Sequence, residues 1–241
     1  MNRPIHPRTR RRRGFTLLEI MVATTIATVA LSVGVGALIS SSRMVYDSSR
    51  RLELNSKIRM FTDRFAKDTI DANAYFVMTS YASLDGSADL IGADEDSAEI
   101  NKPLASGLSG DCVVLEYRDD PDRRSAITRL RVYFRDTLDV DAGAPIRYLE
   151  LAIPEADQTL SLNELVNDHV NLSDNRGSHP TLVSYNVSGI IPSDGSEVKP
   201  IFFNHNDRAV SVNFRMETEG TDNGPARRSA SAYNFTISPR R

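Results

Sequence analysis

Glu19 is the first residue of this 241-residue chain whose chemistry demands a reason. It is a lone carboxylate at the head of an uncharged, mostly apolar run from Ile20 to Ile39. Carried to the centre of a lipid-spanning helix, such a group opposes insertion by roughly 2.5 to 3.5 kcal/mol, although at the edge it reaches interfacial water. It therefore needs a partner or a use, since an ionisable group in a membrane segment is a functional hypothesis by default. The plain alternative is a tolerated interfacial acid facing the positive end of its own helix dipole.

Other reactive side chains do not converge on a familiar constellation. Asp85, Asp89, Asp94, Glu95, Asp96 and Glu99 form an acidic stretch that could hold calcium, with Asp94 and Asp96 the weak candidates. It lacks the regular oxygen ligands and glycine of an EF-hand, so a solvated loop is favoured and no metal or other cofactor is assigned. Asp119, Asp120 and Asp122 around Pro121 read as a hairpin connection between Tyr117 and Leu130. His169, His179 and His205 have neither HExxH nor Cys/His ligand spacing, and Gly107-Leu108-Ser109-Gly110 is not a GxSxG elbow. No enzyme is expected. Arg129, Arg131 and Arg135 share one strand face, with Arg123 and Arg124 nearby. They could grip an acidic neighbour or a nucleic-acid backbone, but a solvated outer face whose stems cover the sheet is favoured, and a nucleic-acid partner is not expected. The single Cys112 lies in an apolar run and reads as a small buried residue without an intrachain disulfide.

The elements that must position Glu19 begin with a basic leader. Residues 1 to 14 carry six Arg and no acid, which holds this end in the cytoplasm, while Ile20 to Ile39 is long enough to cross the hydrocarbon layer as a helix. The bulk of the chain then lies outside. A conventional signal peptide cut after Ser41 or Ser42 is the rival, because small residues follow the apolar core there. Ile20, Val22, Ile26, Val29, Leu31, Val33, Val35, Leu38 and Ile39 favour insertion by roughly 3 to 5 kcal/mol, which Thr24, Thr25, Thr28, Ser32, Gly34 and Gly36 reduce. The same small residues permit close helix packing. An ordinary single-span anchor is the alternative.

From Ser41 to Asn73 the helix continues in a different solvent. Leu54, Ile58, Phe61 and Phe65 fall on one face, and Glu53 to Lys57, Arg59 to Asp63, Asp63 to Lys67 and Arg64 to Asp68 are opposite charges four apart. That stripe is expected to carry a globular head. After Tyr75 the period becomes two: Val113, Leu115, Tyr117; Leu130, Val132, Phe134; Leu149, Leu151, Ile153; Val183, Tyr185, Val187; Ile201 to Phe203; Val210, Val212, Phe214, Met216; and Tyr233, Phe235, Ile237. The expected fold is α+β, a long N-terminal helix carrying a mainly antiparallel β head. The expected divisions are a leader at 1–14, a membrane or filament-core half at 15–40, an amphipathic half at 41–73 and the head at 74–241.

The stretch Arg10-Arg11-Arg12-Arg13-Gly14-Phe15-Thr16-Leu17-Leu18-Glu19, with the apolar run behind it, resembles the class III signal of type IV prepilins and type II secretion pseudopilins. The resemblance implies cleavage between Gly14 and Phe15 by a prepilin peptidase, N-methylation of Phe15, and retention of the anchor. It also implies subunit assembly through Phe15 and Glu19, whose carboxylate would meet the new amine of a neighbouring subunit as the filament grows. Removing the leader would lower the formal charge from -3 to about -9. Major pilins often carry a helix-distorting Pro where this chain has Gly34 and Gly36, and the C-terminal disulfide loop of many of them is absent. The head, of about 170 residues, is similar in size to the larger minor subunits, notably the pseudopilin J type.

The reading of the sequence is thus a non-enzymatic minor pilin or pseudopilin. It would sit in the cytoplasmic (inner) membrane with its N-terminus inside and its head outside, and then enter a pilus or pseudopilus. Its expected partners are prepilin peptidase, other pilin or pseudopilin subunits, the inner-membrane assembly platform, and membrane lipid before assembly. A competence-type minor pilin for DNA uptake and a single-span anchored binding module that never polymerises are the alternatives.

Overall fold

The structure, a computed structural model, describes residues 15–79, 103–119, 126–136, 143–170, 180–183, 186–189, 200–217 and 230–239. The chain divides into two compact units, Met1–Ser49 and Arg50–Arg241.

Helix α1 (Leu17–Asp71) opens in the first unit. Every large apolar side chain from Phe15 to Ile39 is at least half exposed there, Phe15 at 82% and Ile39 at 50%. Leaving such groups in water forgoes roughly 1.5 to 3 kcal/mol per side chain, so this segment requires lipid or other helices around it. Its hydroxyls are already satisfied. Thr24 and Thr25 donate to Met21 O, Thr28 to Thr24 O, and Ser32 to Thr28 O and Val29 O, at 2.6 to 2.9 Å. A membrane helix tolerates Thr and Ser when the backbone takes their protons, which explains how a run of modest hydropathy can still suit lipid.

In the second unit α1 buries Leu54, Ile58, Phe61, Phe65, Asp68 and Thr69, so the helical stripe read from the sequence is the face that packs. The expected pairs Glu53 with Lys57 and Arg64 with Asp68 stand at 3.4 and 4.0 Å. The helix ends at Asp71, and just beyond it Asn73 donates its N–H to Glu116 O at 2.9 Å and accepts at Oδ1 from Arg118 N at 2.8 Å, tying this end to the sheet.

Two antiparallel sheets follow. The first orders β1 (Ala74–Met78), β3 (Cys112–Arg118), β4 (Ile127–Arg135), β5 (Ile146–Ala152) and β6 (Thr181–Val183) as β1-β3-β4-β5-β6. The second orders β10 (Ala230–Ile237), β9 (Ala209–Glu217), β8 (Phe202–His205) and β2 (Ser109–Gly110) as β10-β9-β8-β2, with β7 (Asn186–Ser188) also paired to β9. The alternation Val183, Tyr185, Val187 therefore belongs to two strands in different sheets, with Tyr185 outside the described residues. Val183 and Val187 both enter the same core, so the alternation follows burial while the backbone changes partners.

Register decides which residues share a face. Val113 lies opposite Tyr133, Leu115 opposite Arg131, and Tyr133 opposite Tyr148, and this face joins the α1 stripe and the second sheet in one core. The reverse face, with Val114, Leu130, Val132 and Phe134, is covered by a short helix α2 (Leu162–His169) through Leu165 and Val166. The sequence reading did not include α2, although Ser161 and Glu164 form a capping box at its start. Gly110 is required where the two sheets approach, since a Cβ there would stand 1.9 Å from Met78 O.

Candidate assembly site on the N-terminal helix

Thr16 and Glu19 bond reciprocally at the start of α1. Thr16 N and Oγ1 donate to Glu19 Oε2 at 2.9 and 3.1 Å, and Glu19 N donates to Thr16 Oγ1 at 3.3 Å. This is a capping box with Thr16 at N-cap and Glu19 at N3, satisfying N–H groups that a helix otherwise leaves orphaned. The Thr-x-x-Glu spacing was legible in the sequence and is what its reading of Glu19 missed. The carboxylate thus has a local partner where an uncompensated acid would resist lipid. A carboxylate offers about four acceptor sites, so the cap leaves capacity for a cation arriving from outside the chain. Phe15, next to the cap, projects with the exposed apolar side chains that follow. Gly14 and the Arg leader lie outside the described residues.

Among its described residues the head presents no comparable site. Asp94, Asp96 and the rest of the acidic stretch lie outside the described residues, as do Asp120, Asp122, His179, Arg123 and Arg124. Among the described residues no group of three or more His, Cys, Asp or Glu is placed to hold a metal. His169 pairs with Asp157 at 3.1 Å, and exposed His205 stacks edge-on against Phe203. Gly107 has a left-handed φ of 86° and its N–H donates to Asn204 O at 2.9 Å, which gives Gly107-Leu108-Ser109-Gly110 a structural role. Cys112 is fully buried, as expected, and burial pushes its thiol well above the ordinary range.

The arginine row is not a solvated outer face. Arg131 bonds Asp68 Oδ1 of α1 at 2.5 Å and Glu150 at 3.0 Å, Arg129 pairs with Glu150 at 3.4 Å, and buried Arg135 bonds Asp111 at 2.6 Å. The correction has a physical cause: both faces of the first sheet are covered, so β4 turns its arginines toward α1 and internal acids while its aliphatic residues face α2. The acidic neighbour that these arginines grip lies within the chain. Asp68 also accepts from Tyr133 Oη, and its carbonyl accepts from Tyr117 Oη at 2.6 Å. Burial, reinforced by the Asp68 contact, raises the Tyr133 phenol far above its usual value. Burial also raises the Asp111 carboxyl, against the opposing hydrogen bond and charge of Arg135.

Comparison with known proteins bears first on the start of the helix. Residues 9–35 match the family model of the prokaryotic N-terminal methylation motif. The chain is 37% identical over 65 residues to the pilin-like protein PilA3 of Thermus thermophilus, a match covering 27% of this chain and 28% of that protein. No solved structure matches. The chain thus carries the prokaryotic N-terminal methylation motif at the start of a long helix that is followed by antiparallel sheets, a pilin-like α+β arrangement, and it spans less than a third of the curated relative it matches. Its motif and apolar helix fit a single-pass membrane anchor.

Proposed function

We propose that this protein is a non-enzymatic structural subunit of a type IV pilus or type II secretion pseudopilus. Prepilin peptidase cuts between Gly14 and Phe15 on the cytoplasmic side, and the new Phe15 amine is methylated. Lipid of the inner membrane holds the apolar half of α1 until the assembly platform moves it into a bundle of related helices. The observation that carries this reading is the exposed apolar surface from Phe15 to Ile39 with one capped acid, Glu19, at its head. Within a bundle Glu19 accepts the amine of a neighbouring Phe15. Pairing of that kind gives a buried carboxylate its counter-charge. The size of the head favours a larger minor subunit.

Intact-protein mass of the membrane-extracted chain tests the reading. The expected mature protein begins at Phe15 and carries one added methyl group, and Gly14→Leu leaves the leader attached, because a bulky residue denies the peptidase close approach to the backbone. A wild-type chain beginning at Met1 or after Ser41 would overturn it.

A further inference from the structure

We propose that Asp68 and the polar socket that receives it set the register of α1 on the first sheet, while the apolar stripe of the helix supplies the stability. The stripe that packs on the head runs through Leu54, Ile58, Phe61, Phe65 and Asp68, and buried Ala72 continues it just past the helix end. Its spacings of four, three, four, three and four are those of a heptad repeat. Every member is apolar except Asp68, a carboxylate only 5% exposed. In paired helices a single polar residue at such a position specifies register at a cost in stability.

A heptad stripe nearly repeats itself after seven residues, about 10 Å along the helix. Leu54 then falls in the place of Phe61, and Ile58 in the place of Phe65. Apolar burial has no direction, so it discriminates poorly between the two registers. Asp68 breaks the repeat. Its Oδ1 accepts from Arg131 Nη1 at 2.5 Å, its Oδ2 accepts from Tyr133 Oη, and its backbone oxygen accepts from Tyr117 Oη at 2.6 Å. These donors stand on β3 and β4 and converge on one turn of α1, and hydrogen bonds weaken steeply when misaligned. They therefore fix both the height and the roll of the helix.

A slip of α1 towards its N-terminus is barred by the chain itself, since only Ala72 and Asn73 separate the helix from β1. A slip the other way needs only residues 66–71 to unwind and reach back to Ala74. It would carry Phe61 into the socket, strand the Arg131 guanidinium from its buried partner and leave the Tyr133 hydroxyl unpaired. A buried ion pair adds little net stability over well-packed apolar residues of similar volume, and fixing register is its best-attested use.

The test uses the full chain in detergent micelles. Spin labels are placed on Met60→Cys and, in turn, on Glu155→Cys or Arg208→Cys, all exposed positions of one compact unit, while Cys112 is fully buried. Every protein carries Arg51→Leu, which removes the charge that the slip would bring to the place of Ile58. With the socket intact, pulsed electron resonance should give one narrow distance distribution for each pair. With Asp68→Leu, Arg131→Met and Tyr133→Phe together, the urea midpoint should hold or rise, and a second population should appear, displaced by about 10 Å along α1. One narrow distribution in both proteins would overturn the proposal, because apolar packing alone would then set the register. A triple variant that unfolds at lower urea, or has no cooperative transition, would also overturn it, because the socket would then be holding the fold together.

Discussion

Glu19 caps its own helix, and the proposed assembly would give it a second role that its chemistry allows to be removed separately. As the N3 residue of a capping box it accepts from Thr16 N and Oγ1, a role that Gln can also fill. As a buried counter-charge to a neighbour's amine it must be ionised, and leaving that amine unpaired in an apolar bundle costs roughly 3 to 5 kcal/mol. Glu19→Gln should therefore keep the helix start, membrane level and cleavage, yet lose copurification with other pilin-like subunits from gently cross-linked cells. Glu19→Val should lose the same partners and also fray the first turn. Thr16→Ala should weaken the cap by about 1 kcal/mol while leaving the partners bound. Full partner recovery with Glu19→Gln at equal abundance would show that the charge has no role in assembly. The sequence alone exposed the cost of this acid because one charge in an apolar run is conspicuous. The cap was equally present in the letters Thr-Leu-Leu-Glu, but it was obscured because the N-terminal methylation motif overlaps it.

At the scale of elements, the decisive contact is α1 against the first sheet. Phe61 and Phe65 are buried and meet Tyr133 edge-on at 6.3 and 5.0 Å, and Phe61 also meets Phe214 at 5.7 Å. Phe65→Ala should lower unfolding stability in urea by about 3 to 5 kcal/mol with the slope unchanged. The helical stripe was legible because a 3.6 period with four large residues has few alternative explanations. The arginine face of β4 was not, because alternation reveals two faces without revealing that both are covered, and the acids that neutralise the arginines lie far away in sequence at Asp68, Asp111 and Glu150. The same packing sets an alkaline limit. Tyr75 and Tyr117 are pushed up to about 12 by burial, and burial and Asp68 raise Tyr133 further. Unfolded phenols ionise near about 10, so all three are protonated in both states below that pH and their contribution is fully present. Between about 10 and 12 the unfolded chain releases protons that the fold retains, and stability falls as pH rises. The urea midpoint should drop steadily across that window at constant ionic strength, and less steeply in Tyr75→Phe. A flat midpoint would mean that these phenols ionise in the folded state as they do in water.

For the whole molecule, the division at Ser49 and Arg50 separates a segment that needs lipid or helix neighbours from one that completes its own core. The head was visible in sequence as a series of short alternating runs, but its arrangement as two sheets was not, since strand partners such as Tyr75 with Leu115 and Gly110 with Phe202 are far apart in the chain. A fragment beginning at Arg50 keeps Leu54, Ile58, Phe61, Phe65 and the bond from Arg131 to Asp68. It should be soluble without detergent, show both helix and strand by circular dichroism, and unfold in one cooperative urea transition. A fragment beginning at Ala74 removes the helix from Tyr133, Tyr148 and the second sheet. It also strands the Arg131 guanidinium, which retains exposed Glu150 but loses its buried partner on α1. Uncovering that apolar face should make the shorter fragment bind hydrophobic dye and associate with rising concentration. The arginine separates two explanations for such a failure. If lost apolar burial dominates, Arg131→Leu in the shorter fragment will not restore a cooperative transition, and if the unpaired charge dominates, it will. Identical behaviour of the two fragments would show that the α1 stripe contributes nothing to the head, and the account of α1 as its covering element would fail.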